Sequence, residues 1–332
     1  MTASASGREA KRVGLQSRGQ AFILLVLTNA CWAGAYVAGK VALRYVTPIE
    51  LNTVRFSIAA LLLSPVIVRE RKRIPRNQRA LLMLALLALL GFVFSKLFEY
   101  VGLSLSTASD VALLIATESL FTALLSWTFF HERVTRTGIA ALVVGMFGVY
   151  LIVERGFIPT LSAPGTNAGA RVIGDLLVIF SLLIESGYTT LGKKTVASLP
   201  PLLFTALTIT GSLFVWLPAG ALSVAHSGWP VVPWEGWLAI GYMAVIATVF
   251  GYWMWFRALT TLDASVAAPA LFIQPLLGVA LAIWLLGDAL TWATLLGGAL
   301  ICVSLALVMR RGARRSDGPA LTTLDDLGEA TP

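Results

Sequence analysis

The sequence predicts an all-α integral membrane protein: ten transmembrane helices forming two inverted five-helix repeats, with both termini cytoplasmic. Three observations carry that expectation. The residues are 57% hydrophobic and 13% charged, with a mean hydropathy of +0.82, which is a membrane protein's composition. The charges come in short bursts between apolar runs long enough to cross a bilayer, a length of about 20 residues. The second half of the chain also echoes the first.

The apolar runs fall at residues 20–43, 49–68, 80–103, 108–130, 136–154, 172–195, 201–222, 234–257, 264–286 and 291–309. They lack the period-two alternation that separates a lipid face from a lumen face, so they read as helices, whose backbone groups are satisfied internally. Segments 20–154 and 172–309 then form the two repeats, joined by an extracytoplasmic linker at 155–171. Residues 1–19 form a basic cytoplasmic tail without an apolar signal core. Residues 310–332 form a second tail, polar, acidic at its end and expected to be disordered. Cys31 and Cys302 lie within spans and read as small core residues rather than a disulfide or a metal site.

Orientation follows from Lys and Arg, which stay on the cytoplasmic side. Arg8, Lys11, Arg12 and Arg18 precede the first span, and Arg69, Arg71, Lys72, Arg73, Arg76 and Arg79 follow the second. Arg133, Arg136, Lys193, Lys194, Arg257 and the cluster Arg310–Arg315 obey the same rule, while the opposite loops hold Arg44, Arg155 and Arg171. The net charge of +8 is thus a topology signal. Scattered over several loops, it gives little support to nucleic-acid binding.

The repeat is visible by superposition. Moving residues 93–120 onto 249–276 aligns Val93 with Val249, Phe94 with Phe250, Leu103 with Leu259, Ala108 with Ala264 and Leu120 with Leu276. Gly34, Gly39, Lys40 and Pro48 likewise fall on Gly187, Gly192, Lys193 and Pro201. Five spans per half is an odd number, so the second copy is inverted. Inverted duplication is a mark of secondary transporters, because each half can adopt the other's shape and so open the opposite side.

The two echoing stretches, GAYVAGK and GYTTLGK, also fit the first seven positions of a phosphate-binding P-loop. Val41 and Lys194 occupy the position of the Mg²⁺-binding hydroxyl, and both stretches sit inside lipid-length helices instead of between a strand and a helix. Gly34, Gly39, Gly187 and Gly192 are better explained as small residues for close packing or as hinges, and the lysines as helix-end residues that snorkel.

Ionisable residues within a bilayer are functional candidates by default. Lys40, Arg55, Lys96, Glu99, Glu118 and Glu185 qualify. At about 1.5 Å per residue, Glu118 lies roughly 15 Å into its span, near the midplane, whereas Lys40, Arg55 and Glu99 lie within reach of the interface. Lys96 and Glu99 can pair on one helix face, structurally or towards substrate. Gln274 is the repeat counterpart of Glu118, and Glu185 that of Trp32. A buried neutral carboxyl, or one paired with a base, is the plainer reading of Glu118; lining a substrate cavity at the repeat interface is the sharper one. Pro269 and Pro275 break the ninth span. Tyr242, Phe250, Tyr252, Trp253, Trp255 and Phe256 in the eighth span read as an interfacial belt or as a wall stacking on substrate, the belt being favoured.

Taken together, Trp32, Gly34, Gly39, Lys40, Pro48, Arg55, Gly102-Leu103, Ala108, Glu132, Pro275, Asp288 and Gly297-Gly298 make residues 20–310 resemble the drug/metabolite transporter superfamily. Within it, the match is to EamA-type ten-helix exporters similar to bacterial amino acid exporters of the YddG kind. The resemblance implies a basket of ten helices around a central cavity, in a bacterial inner membrane, exporting amino acids by alternating access. The cavity candidates are Trp32, Lys96, Glu99, Glu118, Glu185, Tyr188 and Gln274. Ser119 and Glu185 depart from the pattern, standing where such exporters often carry Pro and Trp, and the latter argues against a strict preference for aromatic substrates. The expected partners are an amino acid or other small metabolite, membrane lipid and, in a coupled carrier, protons. No cofactor, metal or nucleic acid is expected, and a monomer suffices. Enzymatic chemistry is not expected either: the histidines are His131 and His226, with no metal-spaced cluster and no Ser/His pair at membrane depth.

Overall fold

A computed structural model describes residues 3–106, 136–154, 168–196, 198–274 and 292–315, with 111, 114, 115, 117–119, 121, 122, 124, 125, 128, 276 and 277 between them. The expectation of a disordered C-terminal tail, and the candidate Pro275, lie outside these residues.

The described chain is helical. α1 (Ala3–Ala42) is followed by α2 (Pro48–Arg69), α3 (Gln78–Leu105) and, after the helical residues among 111–128, α4 (Arg136–Glu154). The second half holds α5 (Ala168–Val196), α6 (Pro201–Ser227), α7 (Trp234–Leu259), the short α8 (Ala264–Ala267) running into a 3₁₀ turn at Ala268–Phe272, and α9 (Trp292–Arg315). Among the described residues, six helices are long and apolar enough to cross a membrane. The basic N-terminal tail is not a separate coil but continues α1 back to Ala3.

Local sequence sets the helix ends. At the start of α2, Thr47 accepts from the Glu50 amide while the Glu50 carboxylate accepts from the Thr47 amide, a reciprocal cap worth about 1 kcal/mol. Pro48 and Pro201 open α2 and α6, where a missing N–H costs nothing. Prolines recur inside those helices at equivalent positions, Pro65 and Pro218. α6 stops at Gly228, whose φ of 78° suits glycine.

Two π-helical segments, Leu89–Phe94 in α3 and Met243–Phe250 in α7, coincide under the same superposition. Each leaves carbonyls without the usual helical donor, a feature enriched at functional positions. The repeat therefore extends to a local backbone irregularity.

Packing between the halves is pairwise and reciprocal. α1 meets α7, and the equivalent α5 meets α3; α2 meets α6, and α4 meets α9. In the α3–α5 crossing, a Cβ on Gly102 would stand 2.7 Å from the Gly174 carbonyl oxygen, so the backbones touch. Thr53 donates to the Trp216 carbonyl between α2 and α6, and Ser304 to the Ala141 carbonyl between α9 and α4. Without a hydrophobic driving force in lipid, small residues and interhelical hydrogen bonds of this kind hold helices together. The outer surface carries Leu61, Phe214 and Leu222, each more than 60% exposed. Such an apolar exterior belongs against lipid.

Candidate functional site

Where the two repeats meet, a narrow cavity is lined by Trp32, Tyr36, Arg55, Lys96, Glu99, Tyr100, Glu118, Glu185, Tyr252 and Gln274, with Ala35 and Leu182. About 460 Å³ inside it is free of atoms, but the open centre admits only about two waters. It is collapsed in this conformation.

Lys96 is the electrostatic centre. Its Nζ donates to Glu99 Oε2 at 2.6 Å and lies 3.1 Å from Glu185 Oε2, joining α3 to α5. Glu185 Oε1 accepts from the Tyr252 hydroxyl at 2.8 Å, and its Oε2 lies 2.5 Å from Ser95 Oγ. The Lys96 ammonium also stands 5.9 Å from the Tyr252 ring centroid. All these groups are buried, a setting in which ion pairs persist only when well hydrogen-bonded.

The π segments organise the walls. In α7 the Trp32 indole N–H donates to the Ala247 carbonyl at 2.9 Å, and Thr248 Oγ1 donates to the Met243 carbonyl at 2.7 Å. A Cβ on Gly251 would strike Trp32 Nε1 at 2.5 Å, so a glycine is needed beside that ring. In α3, Ser95 Oγ reaches both the Gly91 carbonyl, at 3.0 Å, and Glu185, the repeat counterpart of Trp32. Both copies thus place this side chain beside a π segment, with an indole in one and a carboxylate in the other.

Gln274 donates to Asn29 Oδ1 at 3.0 Å. Glu118 is buried, and among the described residues its carboxylate has neither a hydrogen bond nor an ion pair. Ser119, beside it, donates to the Ala268 carbonyl in the 3₁₀ turn.

Trp32, Lys96, Glu99, Glu118, Glu185 and Gln274 therefore share one cavity, drawn from both repeats. Tyr188 does not line it. Its ring packs among Phe92, Phe204 and Phe256 at centroid distances of 5.2–6.0 Å, in an aromatic layer between the cavity and the Lys193 end of α5. On the other side the cavity is sealed by Tyr100, Leu103, Val178, Leu182, Ile240 and Met243.

Four expectations are corrected. Arg55 does not reach the interface; it is 3% exposed on the cavity wall, because its face of α2 packs on α7. Lys40 does not snorkel freely but donates to the Leu103 and Ser106 carbonyls at the end of α3, while Lys193 pairs with Asp263. Tyr252, Trp255 and Phe256 are buried rather than forming a belt, whereas Phe250 on the same helix is exposed. Cys302 faces outward and not into the core. Of the glycines, Gly34 abuts Tyr242, Gly39 Tyr100 and Gly192 Phe256, but no atom lies within 4 Å of a Cβ placed on Gly187. Pro269 sits in the 3₁₀ turn. Tyr36 and Tyr100 were missed as site residues, their signal being a polar group amid an apolar span, and Arg55 was named as an ionisable candidate but not placed in the cavity.

A multi-pass helical membrane protein whose two halves share a polar central cavity has the architecture of a small-molecule carrier. Comparison with known proteins agrees: the EamA-like transporter family matches residues 19–154 and again 172–310, and the chain belongs to that family. An uncharacterized transporter of Archaeoglobus fulgidus is 28% identical over 277 residues, covering 83% of this chain and 92% of its own. The "probable amino-acid metabolite efflux pump" of Escherichia coli is 25% identical over 301 residues, 85% of this chain and 92% of its own. The S-adenosylmethionine/S-adenosylhomocysteine transporter of Chlamydia trachomatis is 24% identical over 278 residues, 80% and 82% of the respective chains. A protein of known crystal structure superposes with a TM-score of 0.69 at 19% identity, covering 90% of this chain and 99% of its own, a likeness of fold.

Proposed function

We propose that this protein is a secondary transporter of a bacterial inner membrane that exports amino acids from the cytoplasm by alternating access. The proposed topology has ten spans, two inverted repeats and both termini cytoplasmic. The observation that carries the reading is the cavity shared by both repeats, where Glu118 presents a buried carboxylate with no partner among the described residues. A buried charge is costly unless something meets it, and a substrate ammonium or a proton would do so. The aromatic layer around Tyr188 and Phe256 closes the cytoplasmic side and the layer around Tyr100 and Met243 the other; alternate parting of the two moves substrate across. The name of the Escherichia coli relative, a "probable amino-acid metabolite efflux pump", supports this reading.

Purified protein in liposomes loaded with labelled amino acids tests it. The wild type should release at least one amino acid faster than empty liposomes leak it, and Glu118→Gln or Glu185→Gln should slow that release tenfold or more. Release no faster than leakage for every amino acid refutes the proposal. An imposed pH gradient separates coupling modes, since a proton-coupled carrier accumulates substrate and a uniporter only equilibrates it.

A second reading, export of a cationic metabolite, is favoured by the lining itself, which holds the acids Glu99, Glu118 and Glu185 against the bases Arg55 and Lys96. The name of the Chlamydia trachomatis relative, which includes the sulfonium S-adenosylmethionine beside the uncharged thioether S-adenosylhomocysteine, gives this reading partial support.

A further inference from the structure

We propose that Arg55 is the anion-binding pole of this cavity and that, opposed to Glu118, it selects amino acid zwitterions, receiving the substrate carboxylate while Glu118 receives the ammonium. This rests on the exporter reading above and adds its substrate chemistry.

The two cations of the cavity are in unlike states. Lys96 is neutralised by Glu99 and Glu185 at 2.6 and 3.1 Å. Arg55, equally buried, has only neutral hydrogen-bond partners and no ion pair among the described residues: Nε donates to Thr248 Oγ1 at 2.7 Å and Nη1 to the Tyr100 hydroxyl at 2.9 Å. Its guanidinium carbon lies 5.1 Å from the Phe56 ring centroid and 5.6 Å from that of Tyr100. These contacts fix the plane of the group without cancelling its charge. A guanidinium carries five N–H donors, and two of them account for the hydrogen bonds seen. The Nη2 end is left for the cavity that Arg55 lines.

The positioning is built in. Thr248 can accept from Arg55 because its own hydroxyl proton goes to the Met243 carbonyl, which the π segment leaves available. A planar, preset fork is suited to a carboxylate, which it can bind through two parallel hydrogen bonds. Glu118, an ionisable group of the lining with neither a hydrogen bond nor an ion pair among the described residues, supplies the opposite pole. One positive and one negative site in a single cavity match a dipolar ion better than a simple amine or a simple acid, each of which would leave one pole unmet.

The test compares L-leucine and L-phenylalanine with their decarboxylated amines, 3-methylbutylamine and phenethylamine, as labelled probes in liposomes. The set is run with the wild type, Arg55→Gln, Arg55→Lys and Thr248→Val, each checked for a monodisperse elution profile. The wild type should move the better amino acid at least tenfold faster than its amine. In Arg55→Gln that preference should vanish through loss of amino acid transport, with amine transport unchanged or raised. Arg55→Lys and Thr248→Val, which keep the charge but lose the fork or its anchor, should fall between, and they carry the test if the glutamine variant does not fold. Unchanged amino acid preference in the folded variants overturns the assignment, as does a wild type that moves amines as fast as amino acids, which leaves the exporter reading standing. A wild type that moves none of the four probes overturns this inference, and the exporter reading falls with it if the full amino acid set also fails.

Discussion

Lys96→Met is the sharpest test of the site's electrostatics. The ammonium is shared between Glu99 and Glu185, with the lysine and Glu99 side chains 9% and 7% exposed. Removing one member of a buried ion pair costs about 3–5 kcal/mol, because the other is left charged and unpaired. Here two carboxylates are stranded, but the cavity admits water and Ser95 and Tyr252 still face Glu185, so the lower end, about 3 kcal/mol, is expected. For a chain of 332 residues, at about 2 °C per kcal/mol, the melting midpoint in detergent or nanodiscs should fall by about 6 °C. Glu99→Gln, which leaves Lys96 paired with Glu185, should cost much less. The double variant Lys96→Met/Glu99→Gln should recover part of the loss, the coupling being about 0.5–3 kcal/mol. Tryptophan fluorescence during heating reads all four proteins. A Lys96→Met midpoint within 1 °C of the wild type, or strictly additive double-variant losses, would refute the buried triad.

The paired glycines give a contrast that needs no ligand: Gly34→Ala forces a Cβ to within 2.5 Å of Tyr242 Oη and should cost about 1–3 kcal/mol, while Gly187→Ala, with open space, should stay within about 0.5 kcal/mol. Equal melting midpoints for the two would contradict the packing. Trp32→Phe keeps an aromatic ring but loses the 2.9 Å bond to the Ala247 carbonyl, and should cost about 1 kcal/mol by the same melt. Lys193→Ala should cost no more than about 1 kcal/mol, since its Asp263 partner is 46% exposed. Lys40→Met should cost more than Lys193→Ala, because it strips two carbonyls at the end of α3 of their donor; the reverse order would argue against capping.

The six apolar spans seen among the described residues and the repeat were legible because lipid imposes such runs. A helix crossing hydrocarbon must be apolar for its whole length, so loops announce themselves by charge, and Gly34/Gly187 or Pro48/Pro201 stand out against so uniform a background. Counting residues from a helix end and matching the repeats paired Glu118 with Gln274, and the two line one cavity. Facing was not legible. Arg55 lies close enough to a helix end to snorkel, and only the packing of α2 on α7 turns it inward. Tyr252 and Phe250 have opposite fates, as residues two apart on a helix do, but which of the two turns inward depends on the π segment Met243–Phe250 that precedes them. No residue type marks such a segment, so a periodicity of 3.6 misassigns the faces beyond it.

The position shared by Trp32 and Glu185 shows how duplication becomes direction. Both side chains sit beside a π segment of the facing repeat, yet the indole spends its one donor on a backbone carbonyl, while the carboxylate is a charged acceptor tied to Lys96, Ser95 and Tyr252. Two chemically identical halves would open to either side at equal cost. Here, parting α5 from α3 must break the Glu185–Lys96 ion pair and the Glu185–Ser95 hydrogen bond, whereas parting α1 from α7 at the same level breaks only neutral hydrogen bonds, those of Trp32 to Ala247 and of Tyr242 to Cys31. The states are therefore not isoenergetic, and Glu185→Trp, which restores the first repeat's residue in the second, should bring their populations closer. Cysteine accessibility at Gly187, where the empty space lies, would report it: alkylation of a Gly187→Cys probe should change on adding Glu185→Trp, and an unaltered rate would mean the polar cluster does not bias the equilibrium.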